Sequence, residues 1–344
     1  MRFFQDLGLK ALVGAALGLA LEAVLAQTAP GVGAGPVVSM VPVVSLPVVY
    51  RNAPADAVAG ATRDPALGDA ELARLIALTR TFHPGRAQVA ARVTNTRRGF
   101  LGGDTEQRLV EAELARIDLQ VAEETAHAYF DLRAANAKLG IARVLEALAA
   151  QGLQLTNQRL AAGLAAHADL ERMTETAVKA RGAAARTQQE RAASAARLSG
   201  LTGAQVADSA APIAIAYSIR SSVPADLFGR PEVRAARIRR ESREASMAEL
   251  AASYREAVLK ALEDTEGAYA TAVSARAQRT AATDLAAAAA RQAASLLVQL
   301  EAGRIGRVPH IEAETAAQEA RLRAIDAEAA YAKALASLER ALVK

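Results

Sequence analysis

The chain has no cysteine and no tryptophan, and aromatic residues make up only 3% of its 344 residues. Without cysteine there is no disulfide framework, no thiolate zinc site, no cysteine nucleophile and no thiol to carry a lipid after a cleavage site. With so few rings a broad globular core is not expected, because Phe, Tyr and Trp normally supply the largest buried areas. The four histidines, His83, His127, His167 and His310, lack the Glu-x-x-His pattern or close spacing of a metal site. No dinucleotide fingerprint, phosphate loop or serine elbow is present, so neither a cofactor, a metal nor an enzymatic activity is expected. Charge of one sign is also lacking, the formal net charge being +4. The densest basic run, Arg230, Arg234, Arg237, Arg239, Arg240 and Arg243, is broken by Glu232, Glu241 and Glu244 and contains no aromatic to stack a base. It reads as a solvated helix face, not a nucleic-acid footprint.

What is present is alanine. Hydrophobic residues reach 52%, and Ala, the best helix former with the smallest side chain, carries most of that count. Such a composition suits long helices packed closely on one another.

The N-terminus carries the pattern of a secretory signal over residues 1–26. Arg2 and Lys10 flank its start, an apolar run covers Ala11–Leu21, and Val24-Leu25-Ala26 offers small residues before Gln27. That run is too short to span a bilayer as a helix. Residues 27–65 form a different material, punctuated by Pro30, Pro36, Pro42, Pro47 and Pro54, and read as an extended arm. From about Asp69 the pattern turns helical. A first helical-hairpin repeat is expected over 66–203, a linker with a short strand at Ala211–Ser218 over 204–229, and a second hairpin repeat over 230–344.

The repeat is visible without reference to any family. Leu119–Phe130 (LQVAEETAHAYF) aligns with Leu259–Ala270 (LKALEDTEGAYA) at an offset of 140. The same offset brings Leu160, Ala162 and Gly163 onto Leu300, Ala302 and Gly303. Each half thus contains a long helix, a tip beginning Ala-Gly and a returning helix. Leu119, Ala122, Ala126 and Tyr129 recur at 3-4-3 spacing, the seam of a coiled coil. A helix from Thr105 to Leu160 would run roughly 80 Å at 1.5 Å per residue and needs partners along its length. Glu123, Glu124 and their repeat counterparts Glu263 and Asp264 read as charge partners of neighbouring helices.

Two stretches admit more than one reading. Ala87–Thr96 has the composition of a single strand. Between Val233 and Glu266 there is neither Gly nor Pro, so the chain either reverses near Arg243–Ser253 or continues as one helix, and uninterrupted propensity favours the continuous or kinked helix.

Three segments resemble the TolC-like outer-membrane efflux family. Arg197–Gly203 is similar to the end of that family's first repeat. Val223–Ala236 (VPADLFGRPEVRAA) is similar to its "LPADLLxRRPDVRAAE" signature, and Tyr254–Tyr269 resembles the start of its second tunnel helix. The resemblance covers about residues 64–342. It implies a mainly α fold, a tandem repeat of long antiparallel hairpins forming a periplasmic tunnel as a homotrimer. It further implies work with a periplasmic adaptor (membrane fusion) protein and an inner-membrane pump in efflux or type I secretion, at the outer membrane or periplasm of a Gram-negative bacterium. The tips Gly163, Leu164, Ala165 and Gly303, Arg304, Ile305 match the tips that face the adaptor. Asp169 lies where the family often has an acidic residue, so a tip gate of Asp169 with Arg304 and Arg307 is one reading and a solvated Asp169 the other. In the second repeat the acidic position is taken by Pro309-His310.

The family places a pair of β-strands between each short helix and its tunnel helix, and three subunits close these into one membrane barrel. Here Arg243–Ser253 cannot hold two membrane strands of about ten residues each, so few short strands and no complete barrel are expected. A non-transporting periplasmic coiled coil or an adaptor-like hairpin is the alternative function.

Overall fold

The computed structural model describes residues 69–98, 103–204, 227–242 and 247–342. The signal-like segment, the Pro-rich arm and the expected strand at 211–218 lie outside them. All described residues belong to one compact unit, Ala61–Lys344. Its order is α1 (Ala70–Phe82), α2 (Pro84–Arg98), α3 (Asp104–Ala161), α4 (His167–Thr202), a 3-10 turn (Leu227–Gly229), α5 (Pro231–Ser242), α6 (Met247–Glu301) and α7 (Arg307–Ala341). No strand occurs among the described residues, and the fold is mainly α, as its composition dictates.

Each half starts with a short helix that folds back on a long one. Asp69 caps α1 by accepting the amides of Glu71 at 2.9 Å and Leu72 at 3.3 Å. His83 is extended because it precedes Pro84, which opens α2 at the one helical position where a missing N–H costs nothing. Contrary to the strand reading, Ala87–Thr96 is helical within α2. Val89 and Val93 lie one turn apart on α2 and bury together against Val110 of α3. Arg92–Glu113 at 3.0 Å and the Arg86–Asp118 pair fix α2 antiparallel to the start of α3.

The second half repeats this, which corrects the continuous-helix reading of 231–300. The chain has reversed direction between the end of α5 and the start of α6. Arg230, just before α5, donates to the Ala261 carbonyl at 2.8 Å, while Arg240 at the other end lies over the Tyr254 ring at 5.2 Å. Helix propensity alone favoured one rod, but a rod would leave Val233, Ala236 and Ile238 in water. All three are buried, and burying a side chain such as Val or Ile is worth about 1.5–3 kcal/mol. Tertiary burial wins over propensity here.

The long helices define the architecture. α3 has 58 residues and α6 has 55, so each runs roughly 80–90 Å at 1.5 Å per residue. α4 packs on α3, α3 on α7, and α7 on α6, whereas α4 touches neither α6 nor α7. The four therefore form a single layer in the order α4–α3–α7–α6, with α4 and α6 as open edges. α1 lies against α3 and α4, and α5 against α3 and α6. The main core sits where α1 crosses the layer, around Leu72, Leu75, Ile76, Tyr129, Tyr331 and Leu335, and α5 has a smaller cluster of its own with Leu227, Val233 and Ala261. Away from this crossing, buried positions such as Ala149, Ala184, Ala286 and Ala293 are small, which lets the helices approach closely.

Candidate functional site

The two hairpin tips are built alike, atom for atom along the backbone. Helix α3 ends with Gly163 at φ 71° and α6 with Gly303 at φ 69°, a left-handed turn that glycine adopts without a Cβ penalty. The amide of Gly163 donates to Leu160 O at 2.9 Å and that of Leu164 to Arg159 O at 2.7 Å. The amide of Gly303 likewise donates to Leu300 O at 2.9 Å and that of Arg304 to Gln299 O at 2.9 Å. This is the same helix-ending motif twice, at the offset of 140 that the sequence shows. The ion pairs Lys138–Asp326 and Lys333–Asp131 run α3 antiparallel to α7, so both tips lie at one end of the layer.

The tips differ in what they present. Leu164 is 69% exposed, an apolar side chain held out on a rigid turn. Its counterpart Arg304 is also exposed, as are Gly163 and Gly303, while Ala165 and Ile305 are half-buried. Asp169 accepts the Ala166 amide at 3.1 Å and pairs with Arg172. The backbone hydrogen bond first, then the Arg172 hydrogen bond, holds its carboxyl below the usual range. At the second tip Pro309 occupies the position of Asp169, and Gly306 starts α7 with no side-chain cap. A proline in the first helical turn removes only an amide that had no helical partner. Arg304 and Arg307 are exposed on that second tip; within one chain Asp169 is engaged by its own helix and not by them.

A second polar feature escaped the sequence reading, the seam between the two hairpins. On α3, Glu123, His127 and Asp131 stand one turn apart. Facing them on α7, Ser337 donates to Glu123 Oε1 at 2.6 Å, Arg340 pairs with Glu123, and Lys333 Nζ reaches Asp131 at 2.7 Å. His127 Nε2 lies 3.2 Å from both the Lys333 carbonyl and Ser337 Oγ. A carbonyl only accepts, and the Ser337 hydrogen is committed to Glu123, so the network assigns the proton to Nε2. Burial opposes ionisation of Glu123, but hydrogen bonds from Ser337 and Arg340 and the Arg340 charge outweigh it and hold its pKa down. Of the four carboxyls singled out in the sequence, Glu123 and Asp264 pair across helices and Glu124 accepts Gln120 on its own helix. Near this seam Glu339 has a buried Oε2 without a partner, and burial raises its pKa to about 7.

The two halves carry matched hydroxyls. Thr125 and Thr265, equivalent at the offset of 140, are both buried, and each donates to the carbonyl one turn back at 2.7 Å. Arg230 and Arg133 are also buried. Arg133 is held by Asp69 and Tyr129, and Arg230 by Ala261, Asp264 and Glu232. Their partners lie up to 64 residues away, so no local pattern announced them. Among the described residues no cluster of acidic or histidine side chains could hold a metal, and no helix is long and apolar enough to cross a membrane.

No protein-family model and no curated protein matches the sequence. Solved structures do match in fold. A membrane protein from Pseudomonas aeruginosa aligns over 80% of this chain and 94% of its own, with 17% identity and a TM-score of 0.66. The outer membrane channel CmeC of Campylobacter jejuni aligns over 80% and 86%, with 10% identity and a TM-score of 0.62. The outer membrane protein VceC of Vibrio cholerae aligns over 79% and 96%, with 14% identity and a TM-score of 0.60. The chain has the helical-tunnel fold of TolC-type outer-membrane channels.

Proposed function

We propose that the chain is a tunnel component of a tripartite efflux or type I secretion system, assembling as a homotrimer that carries small molecules or export substrates across the periplasm. The observation that supports this best is the single layer α4–α3–α7–α6 with two open edges and both tips at one end. Helices this long bury little alone. A layer open at both edges fills them by joining copies of itself around an axis along the helices, which leaves a conduit inside. The likeness to outer-membrane channels points the same way.

The tips Gly163, Leu164, Ala165 and Gly303, Arg304, Ile305 would dock a periplasmic adaptor protein, which in turn meets the inner-membrane pump. Exposed Leu164 offers an apolar knob and Arg304 a cation in the equivalent place. A gate of Asp169 with Arg304 and Arg307 would form between copies, because within a chain Asp169 already holds Arg172. No catalytic step is involved.

One observation favours a second reading. Only residues 99–103 separate α2 from α3, and only 243–246 separate α5 from α6. Such short junctions cannot cross a membrane as a strand, which takes about ten residues. A periplasmic coiled coil without transport would have such junctions. Deleting the gene and measuring susceptibility to toxic compounds separates the two readings: lowered resistance, restored by the intact gene, supports transport. A soluble periplasmic monomer with unchanged resistance overturns it.

A further inference from the structure

At the end of the layer opposite the tips, α2 and α5 finish beside the start of α3. Arg92–Glu113 at 3.0 Å sets the last turns of α2 against the first turns of α3, and Arg108–Glu241 at 3.1 Å brings the close of α5 to the same level. The tips lie roughly 80 Å away along α3. The two helices that finish here are basic. α2 carries Arg86, Arg92, Arg97 and Arg98 and has no acidic residue. α5 carries Arg234, Arg237, Arg239 and Arg240 against Glu232 and Glu241. Each helix closes on an adjacent pair, Arg97-Arg98 and Arg239-Arg240, so the feature occurs once in each half. Arg237, Arg239 and Arg240 are exposed. The carboxylates around them are engaged: Glu113 by Arg92, Asp104 by Arg108, Glu241 by Arg108 and Arg237, and Glu232 by Arg230. Glu106 is exposed in the first turn of α3 and offsets one charge. Arg240 lies over the Tyr254 ring, and Arg239 has no ion-pair partner among the described residues.

We infer that this end is a cationic seat for an anionic membrane surface, the arginine pairs meeting lipid phosphates at headgroup level without any segment crossing the bilayer. This rests on the tunnel reading above, which turns the tips towards the adaptor and this end towards the outer membrane. The helix dipole accounts for one base in a last turn, but not for a pair repeated in both halves. A guanidinium matches a phosphate through two parallel hydrogen bonds. Each basic residue near an anionic bilayer strengthens binding about fivefold, and copies held on one axis multiply the contacts. Such a seat needs no membrane strand, in keeping with the short junctions at 99–103 and 243–246.

Co-sedimentation of the full chain with vesicles tests the seat. Vesicles of phosphatidylglycerol in phosphatidylcholine should carry the chain down, pure phosphatidylcholine should not, and added salt should release it. Arg97→Gln/Arg98→Gln/Arg239→Gln should weaken binding ~100-fold, while lysine at the same three positions should keep most of it. Arg186→Gln/Arg276→Gln/Arg291→Gln removes as much charge from the long helices and should leave binding unchanged. Circular dichroism reads the helix content of each variant. Equal binding to both lipids, equal loss in the two glutamine variants, or release by inorganic phosphate beyond that by chloride of the same ionic strength overturns the seat. So does single-stranded DNA bound as tightly as the vesicles, or a chain that resists alkaline carbonate extraction and is therefore embedded. Any of these, with resistance still lowered by gene deletion, leaves the tunnel reading standing. Charge-dependent vesicle binding by a chain whose deletion leaves resistance unchanged supports the seat and overturns the tunnel.

Discussion

Tyr129 on α3 donates its phenolic hydrogen to Asp69 Oδ2 at 2.7 Å, joining residues 60 positions apart. The same aspartate caps α1 and accepts Arg133 Nη1 at 2.9 Å, so one carboxylate ties the start of α1 to the middle of α3. The Tyr129 hydroxyl is pushed far above its ordinary pKa by burial and then by Asp69, and it stays a donor throughout the accessible pH range.

Tyr129→Phe should therefore cost about 2–3 kcal/mol in chemical denaturation, since it removes the bond donated to Asp69 and the one accepted from Arg133. Asp69→Ala removes the cap as well and leaves Arg133 buried without its carboxylate, and should cost more, about 3–5 kcal/mol.

Among the described residues Gly163, Gly203 and Gly303 adopt positive φ, but they differ in what surrounds them. A Cβ at Gly203 would sit 2.6 Å from the Phe82 ring, whereas at Gly163 and Gly303 it would meet nothing within 4 Å. Gly163→Ala and Gly303→Ala should each cost only the backbone strain, about 1–2 kcal/mol. Gly203→Ala should cost that plus displacement of the ring, and Phe82→Ala in the same chain should recover the second part. Thermal melts of the four variants check this.

Two half-buried carboxyls give opposite pH signatures. Glu339 has its folded pKa raised to about 7 from 4.5. The folded state then binds more protons than the unfolded state between those values, so its contribution is present at low pH and lost as pH rises towards 7. Glu339→Gln should stabilise the protein at pH 8 by about 1–2 kcal/mol and leave it little changed at pH 4.

Glu123 is the reverse case, its pKa lowered by Ser337 and Arg340 against the cost of burial. Its stabilisation is present above 4.5 and fades as pH falls through the lower folded value. Glu123→Gln should weaken the α3–α7 seam at pH 7, and the wild-type advantage should vanish in acid. Denaturation midpoints from pH 3 to 8 for both variants provide the check.

The repeat, the long helices and the tips were legible because each is written locally. Alanine enrichment, 3-4 spacing and the Ala-Gly pairs at 162–163 and 302–303 act within a few residues of themselves. The reversal between α5 and α6 was not legible, since no breaker marks it and its cause is burial of Val233 and Ile238 against distant helices. Ala87–Thr96 misled for the same reason: its valines favour a strand in isolation, but Val110 decides the matter. The α3–α7 seam links residues more than 200 positions apart, beyond any local pattern. Asp169 shows the limit at the tips, where the sequence marks an acid but the structure gives it a partner on its own helix.

The short junctions have a further consequence for how such proteins diversify. Packed antiparallel helices leave their chain ends about 8–10 Å apart, close enough that a pair of neighbouring strands can leave and return across the same gap. A hairpin inserted at 99–103 or 243–246 would carry a small loop-closure cost and leave the helices beneath unchanged. Under the tunnel reading, the helical layer is a chassis and a membrane-seating hairpin a fitting added to it.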